Sequence, residues 1–212
     1  MKKYIEIIIS IIAVFLTLYG VRMFNQYILM SLPLFLRMIL MIITYLIIGL
    51  VPFIFCIKNK TKVGFKKENL LKQIIIGIVI ALLMNIFITI IPILIFGKEN
   101  LYTGSNYKYL WQFIYYFIYC VFAVSLTEEF IFRGYILERL KPNKKIIPIL
   151  ISSILFGLFH IFTGNIAQIF ITTFIGLILS ISKEKIKDCT LLSLIIAHGI
   201  YDFLIELIVF MI

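Results

Sequence analysis

The sequence predicts an all-α membrane protein, a single polytopic bundle of about seven transmembrane helices. Two observations carry most of that expectation. The chain has 212 residues and is 63% hydrophobic, where a soluble domain is usually about 45–50% apolar. The excess, with a mean hydropathy of +1.13, is spread along the whole length, and no hydrophilic stretch is long enough for a second domain. Residues 1–212 are therefore read as one integral membrane domain. A third observation is the spacing. Runs of about 20 apolar residues, enough to cross a bilayer core, recur between short basic loops.

In chain order the spans are expected at 4–24, 33–57, 72–97, 110–138, 146–163, 165–182 and 190–212. The first follows Met1-Lys2-Lys3 and continues to about Gly20 without a small-x-small cleavage site, so a retained helix is expected rather than a signal peptide. The second holds Pro33, Arg37 and Pro52, which predicts an interfacial turn at its start. Lys62–Lys67, around Gly64-Phe65, reads as a short amphipathic segment at the inner surface. The third span carries Asn85 and the sixth Gln168, both expected to form interhelical hydrogen bonds. The fourth opens on Trp111, Tyr115, Tyr116 and Tyr119, an interfacial aromatic belt. Only Thr163-Gly164-Asn165 separates the fifth and sixth, which predicts a tight turn.

The net charge of +10 would point to nucleic acid in a soluble protein, but here the basic residues sit in loops between apolar runs. They set topology and meet anionic lipid, and no nucleic-acid-binding module is visible. With the N-terminus inside, Lys2, Lys3, the lysines from Lys58 to Lys72, the basic residues from Arg133 to Lys145, and Lys183, Lys185 and Lys187 are cytoplasmic; of the 20 basic residues only Arg22, Arg37, Lys98 and Lys108 are not. The C-terminus is then outside. Cys56, Cys120 and Cys189 are far apart and match no C-x-x-C spacing, so they read as core or interface residues.

The chemistry-bearing residues lie inside the later apolar spans. Ionisable groups at membrane depth are expensive and need a reason. Glu128 lies eleven residues before Arg139, about 16 Å in from that helix end. His160 lies about fifteen residues after Lys145, or about 22 Å in. His198 lies ten residues after Asp188, or about 15 Å in. All three fall in one slab, somewhat toward the cytoplasmic side. Residues four apart share a helix face. This pairs Glu129 with Arg133 as an ion pair that lowers the cost of burial, places Phe156 beneath His160, and sets His198 beside Asp202. Glu206 continues that last face in a peripheral role.

Glu128-Glu129-x-x-x-Arg133, Phe156-x-x-x-His160 and His198-x-x-x-Asp202, in this order, resemble the motifs of the CPBP family of intramembrane proteases. That family includes the type II CAAX prenyl proteases and the bacterial bacteriocin-immunity (Abi) proteins. The resemblance covers about 110–212, a motif-bearing catalytic core, and the preceding spans more loosely. It implies that Glu128 is the general base that activates a water, with His160 helping to hold it. His198 and Asp202 would face the developing oxyanion, and Glu129, Arg133 and Phe156 would support. The last motif residue is Asn in the prenyl-protease branch and Asp here. An ionised Asp202 would repel an oxyanion, so it must be protonated, orient His198, or bind a metal. Glu128, His160, His198 and Asp202 could together hold zinc with an open water position, and the resemblance leaves metal dependence open.

The function expected is an intramembrane endopeptidase that cleaves a membrane-associated peptide near the cytoplasmic face, in bacteriocin self-immunity or peptide maturation. The alternative is a non-catalytic immunity or membrane scaffold protein; a small transporter would need a repeat that the sequence lacks. Isoleucine- and lysine-rich usage points to a low-GC bacterium, and so to the bacterial plasma membrane.

Overall fold

The computed structural model of the protein describes residues 2–97, 109–141 and 146–211. Lys98, Lys108, Lys144 and Lys145, which entered the charge distribution, lie outside the described residues. The described residues form helices α1 (Lys2–Tyr27), α2 (Leu34–Ile48), α3 (Leu50–Lys58), α4 (Leu70–Phe96), α5 (Leu110–Leu140), α6 (Ile146–Phe159), α7 (Ile166–Lys185) and α8 (Leu191–Met211). Six helices are long and apolar enough to cross a membrane, with α6 continuing through a 3₁₀ turn to Thr163. The pair α2 and α3, bent by 46° at Gly49, is long and apolar enough only when taken together, which brings the number to seven if the pair counts as one span. A turn with a 3₁₀ segment, Leu29–Ser31, leads into Pro33 at the start of the second expected span, where the prolines suggested one, and the bend at Gly49 is a second break. The run Lys62–Lys67 forms no helix; Gly64 takes φ +90° there.

The outside of this bundle is greasy, and polar groups are drawn into its apolar inside. Leu16, Phe87, Leu94 and Phe170 are exposed, while Glu128, Glu129, Arg133, Ser180 and His198 are buried. That inversion suits a lipid solvent, in which polar groups must find partners within the protein. Small residues let the helices close around them. A Cβ on Gly77 of α4 would lie 2.6 Å from the Ser193 carbonyl of α8, and one on Gly157 of α6 would lie 2.7 Å from the Ile169 carbonyl of α7. Those two pairs, α4 with α8 and α6 with α7, are in extensive contact. Asn85 donates to the Tyr201 carbonyl at 3.4 Å, an interhelical bond as its position suggested. The three cysteines are free and buried.

One end of the bundle is tied together by charge. Lys183 donates to Glu138 Oε1 and to the Arg133 carbonyl, both at 2.7 Å. Lys141 pairs with Glu138 at 3.0 Å and Glu184 at 2.5 Å. Arg139 and Asn59 both donate to Glu6 of α1. The Leu191 N–H donates to the Gly64 carbonyl at 3.1 Å, which lays the loop between α3 and α4 over the start of α8.

Candidate active site

Helix α5 carries the first motif in an unusual backbone. Cys120–Ser125 and Phe130–Ile136 are π-helical, and only Leu126–Glu129 between them is α-helical. Single π-turns cluster at functional sites because they re-aim side chains that regular spacing would scatter. Glu128 and Glu129 are adjacent, so they diverge around the helix, yet both are buried and each must find partners on a different neighbour.

Glu129 faces Arg133 and α8. Arg133 Nη1 donates to Glu129 Oε1 at 2.8 Å, Nη2 to the Gly176 carbonyl at 3.0 Å and Nε to Ser180 Oγ at 3.3 Å. The guanidinium also lies 4.3 Å from the centroid of the Phe156 ring, a cation–π contact. A Cβ on Gly176 would come within 3.1 Å of both Arg133 Nη2 and Phe156 Cδ1, so the absent side chain makes the cradle. The expected Glu129–Arg133 pair is therefore present and fully buried. Glu129 has a second partner that the motif spacing does not disclose: its Oε1 lies 2.9 Å from His198 Nδ1.

His198 is held between carboxylates. While Nδ1 meets Glu129, Nε2 lies 3.3 Å from Asp202 Oδ2 and 3.9 Å from Glu128 Oε2. His160 ends α6 rather than sitting within a regular helix. Its Nδ1–H donates to the Phe156 carbonyl at 3.0 Å, which turns Nε2 away from that bond. The Phe156 ring lies 5.4 Å from the His160 ring and 5.6 Å from the His198 ring, edge-on to both, so it spaces the two imidazoles.

Glu128 has a partner that nothing in the sequence singled out. Tyr45 of α2 donates from its hydroxyl to Glu128 Oε1 in a short hydrogen bond. Tyr45 packs edge-on against Tyr119 at 5.8 Å, and the stacked Tyr115 anchors to the Met38 carbonyl at 3.0 Å. Two of the tyrosines expected in a surface belt thus brace the site. A lone tyrosine in an apolar helix offers no periodic signal, which is why Tyr45 was missed.

Glu128, His160, His198, Asp202 and Phe156 line one cavity of about 390 Å³, along with Tyr45, Thr89 and Tyr201. Glu128 Oε2 is buried and has no hydrogen-bond partner among the described residues. Asn165 and Ala167 stand at the exposed rim, with Gln168 half-buried beside them. Gln168 thus lines the cavity, and among the described residues its side chain makes no interhelical hydrogen bond. A second, apolar cavity of about 700 Å³ adjoins and shares Ile88 and Ile171 with the first. Glu206 is buried one turn beyond Asp202 and does not line either cavity.

As a zinc site the four residues do not fit well as they stand. Both nitrogens of His198 face carboxylates, and His160 Nδ1 is committed to a backbone carbonyl. Among the described residues no group of three or more His, Cys, Asp or Glu is placed to hold a metal ion.

The fold and this cavity together define a class: a polytopic helical membrane protein with a carboxylate–imidazole centre enclosed by its spans. Residues 110–204 match the family described as type II CAAX prenyl endopeptidase Rce1-like, a stretch that contains every residue of the three motifs. That similarity is in keeping with the CPBP proteases that the motifs resemble. No curated protein and no solved structure matches the chain. Tyr45 lies outside the matched stretch.

Proposed function

We propose that this chain is an intramembrane endopeptidase in which Glu128 activates water. The observation that carries the reading is Glu128 itself. One oxygen is occupied by Tyr45, while the other is buried, unpartnered and turned toward His198 Nε2 in a cavity large enough for water and a peptide group. Buried polar atoms in roomy polar cavities are places where water binds.

Glu128 Oε2 takes a proton from a water that His160 Nε2 helps to hold, and the hydroxide attacks the scissile carbonyl carbon. The carbonyl π pair moves to oxygen, and the oxyanion is met by His198 Nε2–H. A donor fixed in a dry site is worth most where charge develops. Glu129 holds His198 at Nδ1, and Arg133 holds Glu129. Asp202 steers the Nε2 side of the ring. Glu128 then returns the proton to the leaving nitrogen, and the C–N bond breaks as the carbonyl re-forms. No step passes through a metal. A membrane-associated peptide is the substrate class, with bacteriocin self-immunity or peptide maturation as the physiological setting.

The test compares membrane peptides by mass spectrometry in cells making wild type, Glu128→Gln or His160→Ala protein. Cleavage products present with wild type and absent with both variants are expected. Indistinguishable peptide sets would remove the endopeptidase reading and favour the scaffold alternative. Metal content of the purified wild type is measured alongside; stoichiometric zinc lost in the His160→Ala protein would replace the general-base route by a metal-bound water.

A further inference from the structure

We infer that the cavity admits its substrate from the face opposite the lysine-rich loops, the outer face of the membrane. The peptide is then an exported or membrane-inserted one rather than a cytoplasmic tail. This rests on the endopeptidase reading for the word substrate; the sidedness itself rests on geometry and charge alone.

Three observations converge. The first is the direction in which the cavity opens. Its floor, Glu128, Phe156 and His198, is buried, while Asn165 and Ala167 at its rim are exposed. The rim lies where the turn after α6 enters the first turn of α7. From there α7 runs for 20 residues to Lys185, about 30 Å and the thickness of a bilayer core. Rim and lysines thus stand at opposite faces.

The second is that the lysine-rich end is closed. Lys183, nearly buried itself, plugs the space beneath Arg133 by donating to its carbonyl and to Glu138. The Gly64 loop bonds to the start of α8, and Thr190 donates to Gln73 of α4 in a short bond beside it. The third is charge. Lysine and arginine loops stay on the cytoplasmic side, and Lys58, Lys60, Lys62, Lys66, Lys67, Lys183, Lys185 and Lys187 lie at the closed end. Depths counted from helix ends had put the three motifs toward the cytoplasm; the cavity that they line opens the other way. Its apolar neighbour, lined by Phe87, Ile93 and Phe170 among others, suits a hydrophobic peptide over a charged one.

The experiment labels single added cysteines in intact cells with a membrane-impermeant maleimide. Wild type is the blank, since its cysteines are buried and burial pushes the Cys189 thiol up to about 11, which makes it inert at neutral pH. Ala167→Cys, and Ile166→Cys on the same exposed turn, should react in intact cells. Lys187→Cys should react only after lysis. Labelling of Ala167→Cys and Ile166→Cys only after lysis, or of Lys187→Cys in intact cells, would overturn the assignment. So would failure of both rim cysteines to react in detergent. The two readings separate cleanly. Outside labelling of Ala167→Cys with an unchanged peptide set in Glu128→Gln cells keeps the sidedness and ends the enzyme. The reverse pattern keeps the enzyme and ends the sidedness.

Discussion

The two ends of this bundle spend their polar residues differently. At the lysine-rich end a set of part-buried charges is matched: Lys183 with Glu138, Lys141 with Glu138 and Glu184, Arg139 with Glu6. Those pairs join α1, α5 and α7. In the cavity at the other end, three carboxylates converge on one imidazole and the groups are only partly matched: Glu128 Oε2 and Glu129 Oε2 are buried without a hydrogen-bond partner. A buried polar group left unmatched costs stability, and such costs persist where function needs them. The difference teaches where to look for chemistry in a membrane protein: not where charge is densest, but where it is buried and incompletely satisfied. Substitutions in the cavity should then alter rate at little cost in stability, and substitutions at the closed end should do the reverse.

The largest effect expected is at Glu128. Glu128→Gln keeps size and can still accept from Tyr45, but it cannot take a proton from water. Turnover should fall by about 10²–10⁴-fold, read by single-turnover cleavage of a peptide identified from the membrane comparison, while the thermal midpoint stays near that of wild type. A fall in midpoint matching the loss of rate would place Glu128 with the structural groups and break the contrast.

Arg133 lies between the two regions and should behave like the closed end. Truncation to alanine leaves Glu129 buried without its guanidinium, a loss of about 3–5 kcal/mol for a broken buried pair. Arg133→Ala should unfold at much lower denaturant in detergent. A variant with wild-type stability and no activity would instead make Arg133 a group acting on substrate.

Much of this was legible in sequence. Six of the seven expected spans coincide with single long apolar helices and the second with a bent pair, and the i,i+4 rule found both the Glu129–Arg133 pair and the His198–Asp202 neighbours. What escaped was whatever depends on contacts between helices. The Glu129–His198 bond joins residues 69 apart, and the Tyr45–Glu128 bond residues 83 apart. The π-turns of α5 leave no compositional mark. The amphipathic reading of Lys62–Lys67 failed because Gly64 takes a left-handed turn and its carbonyl is needed by Leu191.

Tyr45 sharpens the comparison, since it is a positioning residue contributed from outside the matched domain. Tyr45→Phe keeps the ring packing on Tyr119 and removes only the donor. A hydrogen bond to a charged group is worth about 1.5–3 kcal/mol, so kcat should fall about 10- to 100-fold with KM unchanged. In a Glu128→Gln background the same substitution should add little. An equal further loss in that background would show that the Tyr45 hydroxyl acts independently of the Glu128 carboxylate.

Lys183 gives the mirror image. Lys183→Met keeps the stem and deletes the ammonium that caps the Arg133 carbonyl and pairs with Glu138. Leaving those acceptors unsatisfied should cost about 1–3 kcal/mol of stability with kcat of the folded fraction unchanged. A selective loss of kcat would mean that the closed end reaches into the chemistry through the π-turn.

The smallest effect belongs to the exposed edge of the closed end. The Lys72 ammonium, hydrogen-bonded to Asp188 at 2.6 Å, holds that carboxyl below its usual range. A depressed carboxyl contributes stability above its unfolded pKa and loses it as pH falls through the folded value. Any advantage of wild type over Asp188→Asn should therefore be present at neutral pH and fade below about pH 4. It should be small, because Lys72 is more than half exposed, and added salt should screen it. Thermal midpoints of the two proteins between pH 3 and 7 check this. A large difference at neutral pH would mean that solvated charge, and not the buried Lys183 contacts, closes that end of the bundle.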